Sequence, residues 1–201
     1  MNMRILFKFA ALPLLILTGC SGVMDSAQPA RQYFMLMPLS ESSTPDISDQ
    51  KPSLTMVLGA VPGLDTDWVQ ALDGDAQLVR YANARWPDHL PEVLTSVIQR
   101  SLQASGRYAE VRAASRAAGD AWFLQLEVQQ FYGLQDTNRE TTRVAVRISG
   151  AVTCDDQHSA FTVEDTVPVN SQRLSAVITA HQQGLDKITQ QIFSEIKKVC
   201  Q

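Results

Sequence analysis

Apolar residues recur along this chain in three rhythms, and each rhythm predicts a different kind of element. Leu90, Val93, Leu94, Val97, Ile98 and Leu102 share the 3.6-residue spacing that makes one stripe of an amphipathic helix. Asp88 is placed to cap this helix, Pro91 lies in a first turn where its missing N–H costs nothing, and Gly106 closes it. A longer stripe runs through Leu174, Val177, Ile178, His181, Leu185, Ile188, Ile192 and Ile196. Asn170 or Ser171 is expected to cap it, Lys197 and Lys198 suit the negative end of its dipole, and Gly184 weakens its middle.

The second rhythm is the short apolar or alternating run of a strand. It predicts strands at 33–37, 54–61, 122–131, 142–154 and 160–169. Segments 68–72 and 77–81 are expected to pair as a hairpin, since Asp73-Gly74-Asp75 between them favours a tight turn. Polar residues such as Gln125, Glu127, Arg143 and Arg147 interrupt the apolar ones and suggest one partly wet face. Residues 40–52, rich in Ser, Asp, Pro and Glu, read as a loop, and no repeat or heptad array is present. The first helix falls between strands, which suits a crossover onto a sheet. The expected fold class is therefore α/β: a mixed β-sheet packed by two long amphipathic helices, in a single domain spanning 33–201.

The third rhythm is an unbroken apolar run at 9–17, preceded by Arg4 and Lys8 and followed by Leu17-Thr18-Gly19-Cys20. A basic start, a short apolar stretch and small residues before a cut site make a secretory signal, here residues 1–19. The run is too short for a membrane span, which needs roughly 20 apolar residues. Leu-Thr-Gly-Cys also resembles the lipobox of bacterial lipoprotein precursors. Thr18 and Gly19 leave the backbone open to the peptidase, and a thiolate at Cys20 can attack the diacylglyceryl donor. The resemblance implies diacylglycerol and an N-acyl chain on Cys20, two or three chains that hold where one would bind reversibly. Residues 20–32, small and polar, read as a flexible tether. Ser21 stands where an aspartate retains such proteins in the inner membrane, so the same resemblance implies the periplasmic face of the outer membrane of a Gram-negative bacterium.

Composition narrows the partners. Loss of residues 1–19 removes Arg4 and Lys8 from the 17 basic side chains, leaving 15 against 21 acidic and a net charge of −6. Without a basic block, nucleic acid is excluded as a partner. Cys154 and Cys200 remain after Cys20 is lipidated. In an oxidising compartment they are disulfide candidates, but 46 residues apart they can equally stay unpaired. The three histidines, His89, His158 and His181, make no metal-ligand spacing, and neither mature cysteine has a CxxC partner, so no metal site is expected. No nucleophile elbow, phosphate loop or dinucleotide fingerprint occurs, and His181 within its apolar stripe reads as a packed residue. Asp155-Asp156 reads as a polar turn between two strands. No catalytic residue is expected.

One segment is specific. Tyr81, Arg85 and Trp86 lead from a strand end into the first helix at Leu90. The spacing resembles the Tyr-x-x-x-x-Trp-x-x-x-(Leu/Pro) signature of the ABC-type transport auxiliary lipoproteins, the family that includes paraquat-inducible protein C. Tyr33 and Leu36 resemble that family's Tyr-x-Leu opening, and Leu102 to Tyr108 its Leu-x-x-Ser-Gly-x-(Phe/Tyr) stretch. Pro87 departs from the family, where a small residue is usual. Trp86 has two readings: a staple on the helix, with Arg85 paired to a carboxylate, or, with Tyr81 and Arg85, a docking patch for a partner.

The resemblance implies a non-enzymatic docking subunit of a transport system that moves lipids between the two membranes. Its partner would be the periplasmic mammalian-cell-entry (MCE) domain protein of an ABC transporter, and several copies of the chain could assemble. The alternatives are a lipoprotein that carries lipid in its own pocket or assists outer-membrane assembly and, more remotely, a cell-wall enzyme.

Overall fold

The alternating runs build one mixed sheet, and the two apolar stripes become the helices that cover it. The computed structural model describes residues 30–39, 51–114 and 122–200; the expected signal peptide, Cys20, most of the expected tether and most of the 40–52 loop lie outside them. The order of elements is β1 (Gln32–Tyr33), β2 (Ser53–Ala60), β3 (Trp68–Asp73), β4 (Gln77–Arg85), α1 (Leu90–Ala104), β5 (Glu110–Ala113), β6 (Trp122–Gln135), β7 (Thr141–Cys154), β8 (Gln157–Pro168) and α2 (Leu174–Val199).

β6 organises the sheet. One edge pairs antiparallel with β7, which pairs antiparallel with β8. Its other edge is shared: the first half runs parallel to β2, and the end, at Gly133 and Leu134, runs parallel to β3. β5 lies beyond β2, and β4 then β1 lie beyond β3. Leu124, Leu126 and Val128 are buried while Gln125 and Glu127 are exposed, so β6 shows one face to a core and the other to water. The register sets Met56 beside Leu124 and Leu124 beside Val152, and the buried stripes of α1 and α2 join these residues in one core. Residues 31–201 form a single compact unit.

Several local expectations are corrected. Of the 33–37 run only Tyr33 is strand, in β1; beyond Phe34, whose N–H still bonds Arg85 O of β4, the backbone bonds to helix side chains instead of to a neighbouring strand. Met37 donates its N–H to Gln182 Oε1 (2.8 Å) and accepts from Gln182 Nε2 (3.0 Å), while Leu39 N–H reaches Ser101 Oγ (2.9 Å). Residues 34–39 are thus a strap pinned to both α1 and α2. The helix caps also differ: His89 precedes α1 and Arg173 precedes α2, neither making a side-chain cap. Asp88 accepts instead from the His89 N–H at 2.8 Å. β5 was not anticipated, since its one large apolar residue, Val111, stands between charged neighbours; Gln103 and Gln99 of α1 bond the Val111 backbone at 2.8 Å each.

Gly184 does more than weaken a helix. A Cβ there would stand 2.8 Å from Val146 Cγ2, so the glycine lets α2 approach β7 closely. At the far end, Cys154 and Cys200 are joined with their Cα atoms 5.5 Å apart, tying the end of β7 to the end of α2.

Candidate functional site at the corner between the sheet and the first helix

Three segments meet where β4 turns into α1. The β2–β3 loop is stitched to the turn by hydrogen bonds from Trp86 N to Asp67 O (2.7 Å) and from Leu90 N to Thr66 O (3.1 Å). The strap joins from the other side, with Phe34 N bonded to Arg85 O at 2.9 Å. β4 reaches the corner through a register shift opposite Trp68 and Gln70 and a left-handed Asn83 at φ 62°, the local kink of a bulge.

The three residues singled out in the sequence meet here, and each has a packing task. Tyr81 bonds through its hydroxyl to Thr141 Oγ1, and Gly133 leaves the space, since a Cβ there would lie 2.7 Å from that hydroxyl. Burial raises the Tyr81 pKa above 10, with the Thr141 bond opposing. Arg85 donates to Asp67 Oδ1 at 2.6 Å and lies over the Trp68 ring. Trp86 is 1% exposed. Its ring meets Phe131 of β6 at 5.7 Å and His181 of α2 at 5.5 Å, both edge-on. The docking reading is therefore corrected for Trp86: a side chain sealed between sheet and α2 cannot meet a partner while the domain is folded. The staple is replaced by a contact across layers.

What the corner does expose is charged. Asp65, His89 and Glu92 each bring one oxygen or nitrogen to within 4.8 Å of the others, and all three are exposed. His89 Nδ1 is 2.8 Å from Asp65 Oδ1. That bond first, and the charges of Asp65, Glu92 and Asp88 with it, raise the His89 pKa above 6.5. The cluster surrounds the start of α1, where the positive end of the helix dipole favours anions and opposes a cation. A carboxylate–imidazole pair fits that field without a metal. Sequence spacing could not find it, because Asp65 arrives from another loop. Beside the cluster runs an open groove of about 220 Å³, lined by Met35, Leu36, Pro87, Val93, Val97 and Arg100 among others.

Fold and corner define a class: a mixed-sheet α/β domain with two helices and an N-terminal strap pinned across both. Residues 40–193 match the model of the ABC-type transport auxiliary lipoprotein component, and the chain belongs to that family. A crystal structure of a protein from Xanthomonas campestris superimposes with a TM-score of 0.68 at 16% identity, covering 82% of this chain and 94% of that one. A crystal structure of an uncharacterised protein superimposes with a TM-score of 0.62 at 17% identity, covering 83% of this chain and 99% of that one. At these identities the likeness shows the fold alone. No curated protein is similar enough to count as a relative. No helix among the described residues is long and apolar enough to cross a membrane.

Proposed function

We propose that the chain is a non-enzymatic docking subunit of an MCE-type ABC transport system that moves lipids between the inner and outer membranes. In this reading residues 1–19 are removed, lipid on Cys20 holds the protein on the periplasmic face of the outer membrane, and residues 20–32 tether the 33–201 domain. The observation that carries it is the family match over 40–193. An auxiliary lipoprotein must hold a rigid surface at a set distance from its membrane. The strap locks the chain entry to both helices, and the Cys154–Cys200 bridge, formed in the oxidising periplasm, locks the end of α2. Docking falls to the exposed rim of the corner, Pro87, Asp88, His89 and Glu92, with Trp86 as its buried support.

The test is co-purification from membranes of the host. The wild-type protein brings down an MCE-domain protein, and Asp88→Arg with Glu92→Arg loses it while remaining folded. Failure of the wild-type protein to capture any MCE-domain protein would remove the reading. Replacing Cys20 with Ala abolishes palmitate incorporation and leaves the domain folded.

A further inference from the structure

Four large apolar side chains stand exposed among the described residues, and three of them occupy alternate positions where the chain enters the domain: Tyr33 at the end of β1, then Met35 and Met37 on the strap. Tyr33 is 58% exposed, Met35 67% and Met37 61%, while Leu36 between them is buried to 2%. An extended segment with one wet face normally carries polar residues there. Here the outward face is apolar as well, and no charged residue occurs between Arg31 and Leu39. Scattered exposed apolar residues need no explanation, but a row pinned in place by Gln182 and Ser101 is a surface.

We infer that this strip, Tyr33, Met35 and Met37, seats the domain on the phospholipid bilayer to which Cys20 is anchored. The inference rests on the lipid anchor proposed above. Two arguments select a membrane over a protein partner. The first is size: three such side chains offer a few hundred Å², the scale of a functional patch but well below the ~800 Å² per partner of a stable protein interface. A bilayer held close by a covalent anchor needs no more, because the contact is then intramolecular. The second is chain length. Tyr33 lies thirteen positions after Cys20, so full extension limits the distance between them to about 45 Å. The fourth exposed apolar residue, Leu78, lies far along the chain on the β3–β4 hairpin. The chemistry suits the headgroup region: a tyrosine ring is amphipathic, methionine adapts to a disordered surface, and exposed Arg31 is placed to meet phosphate.

The experiment uses the full lipidated protein in phosphatidylcholine vesicles containing doxyl-labelled phosphatidylcholine. With Cys20 acylated and Cys154 and Cys200 joined, Met37→Cys supplies one thiol for an environment-sensitive fluorophore. Asp75→Cys, at the hairpin tip roughly 25 Å along β4 from the strap, is the comparison. The expected result is a blue shift and several-fold greater quenching at position 37 than at 75. Adding Tyr33→Asp and Met35→Asp should bring position 37 down to the level of 75, with circular dichroism and palmitate incorporation unchanged. Equal quenching at both positions in palmitate-labelled protein overturns the inference. So does shielding at 37 without quenching in a sample that sediments as a dimer, which would make a second copy the occupant. Absence of palmitate would instead remove the anchor itself, and the inference with it.

Discussion

Replacing His181 with Phe should flatten part of the stability loss that this protein suffers in acid. The imidazole is fully buried. Nδ1 donates to Val177 O at 2.9 Å, and Nε2 meets no partner. The Trp86 and Phe131 rings pack against it. Burial pushes its pKa down from 6.5 to about 4, only partly opposed by the Val177 bond. The unfolded chain therefore takes up a proton near pH 6.5, while the folded protein refuses one until about pH 4. The contribution is intact above pH 6.5 and drains away between 6.5 and 4. At ~1.4 kcal/mol per pH unit the whole interval is worth about 3 kcal/mol, of which about 2 kcal/mol is gone by pH 5.

Urea titrations of the soluble chain from residue 21 at pH 7 and pH 5, for wild type and His181→Phe, isolate this effect. Asp186, whose pKa is raised chiefly by burial, works in the opposite direction but is present in both proteins and cancels to first order. The wild type should lose about 2 kcal/mol more than the variant between the two pH values. Equal losses would mean that protons reach His181 in the folded state, and the picture of a sealed contact between Trp86, Phe131 and His181 would be wrong.

Gly184→Ala gains up to ~1 kcal/mol of helix propensity, yet its Cβ would stand 2.8 Å from Val146 Cγ2 on a stiff, packed side chain. The variant should melt several degrees lower by calorimetry, and a raised melting temperature would refute the close approach of α2 to β7. Cys200→Ser opens a loop of 46 residues and should cost up to about 4 kcal/mol in denaturant stability; the wild type without lipid on Cys20 should show one free thiol per chain when unfolded. Arg85→Ala removes the 2.6 Å pair with Asp67 and the cover over Trp68, with an expected loss of about 1–2 kcal/mol in urea. Arg85→Lys should restore only part of it, since an ammonium cannot reproduce the flat stack.

Periodicity made the helices, the β3–β4 hairpin and the long strands legible, because burial of one face is a local pattern. The six stripe residues of α1 from Leu90 to Leu102 are all buried. The long stripe runs through α2, although Leu174 and Ile178 are only half-buried. The strap misled for a physical reason: Tyr33–Phe34–Met35–Leu36–Met37 has strand chemistry, but only Tyr33 and Phe34 meet β4, and beyond them two helices satisfy the backbone with Gln182 and Ser101. Nothing near residue 37 announces a glutamine 145 residues away. β5 was hidden because it is held by α1 side chains and by β2, not by its own apolar content. The pairing of Asp65 with His89 was invisible for the same reason, since it depends on how the β2–β3 loop returns to the corner.

The signature residues are best understood as a joint between layers. Tyr81 crosses to β7 through Thr141, Arg85 fastens the β2–β3 loop through Asp67, and Trp86 bridges β6 and α2. One short segment thus ties α1's entry to nearly every other part of the domain, which is a structural reason for such a segment to mark the family. It also separates recognition of the family from recognition of a partner. Removing Trp86 would open a core cavity at a cost of ~3–5 kcal/mol, a large part of a domain's net stability. A transport defect in that variant would report unfolding and say nothing about docking. Partner choice has to be sought in side chains the fold can spare: the charged rim at Asp88, His89 and Glu92, whose exposure lets them change without loosening the joint beneath them.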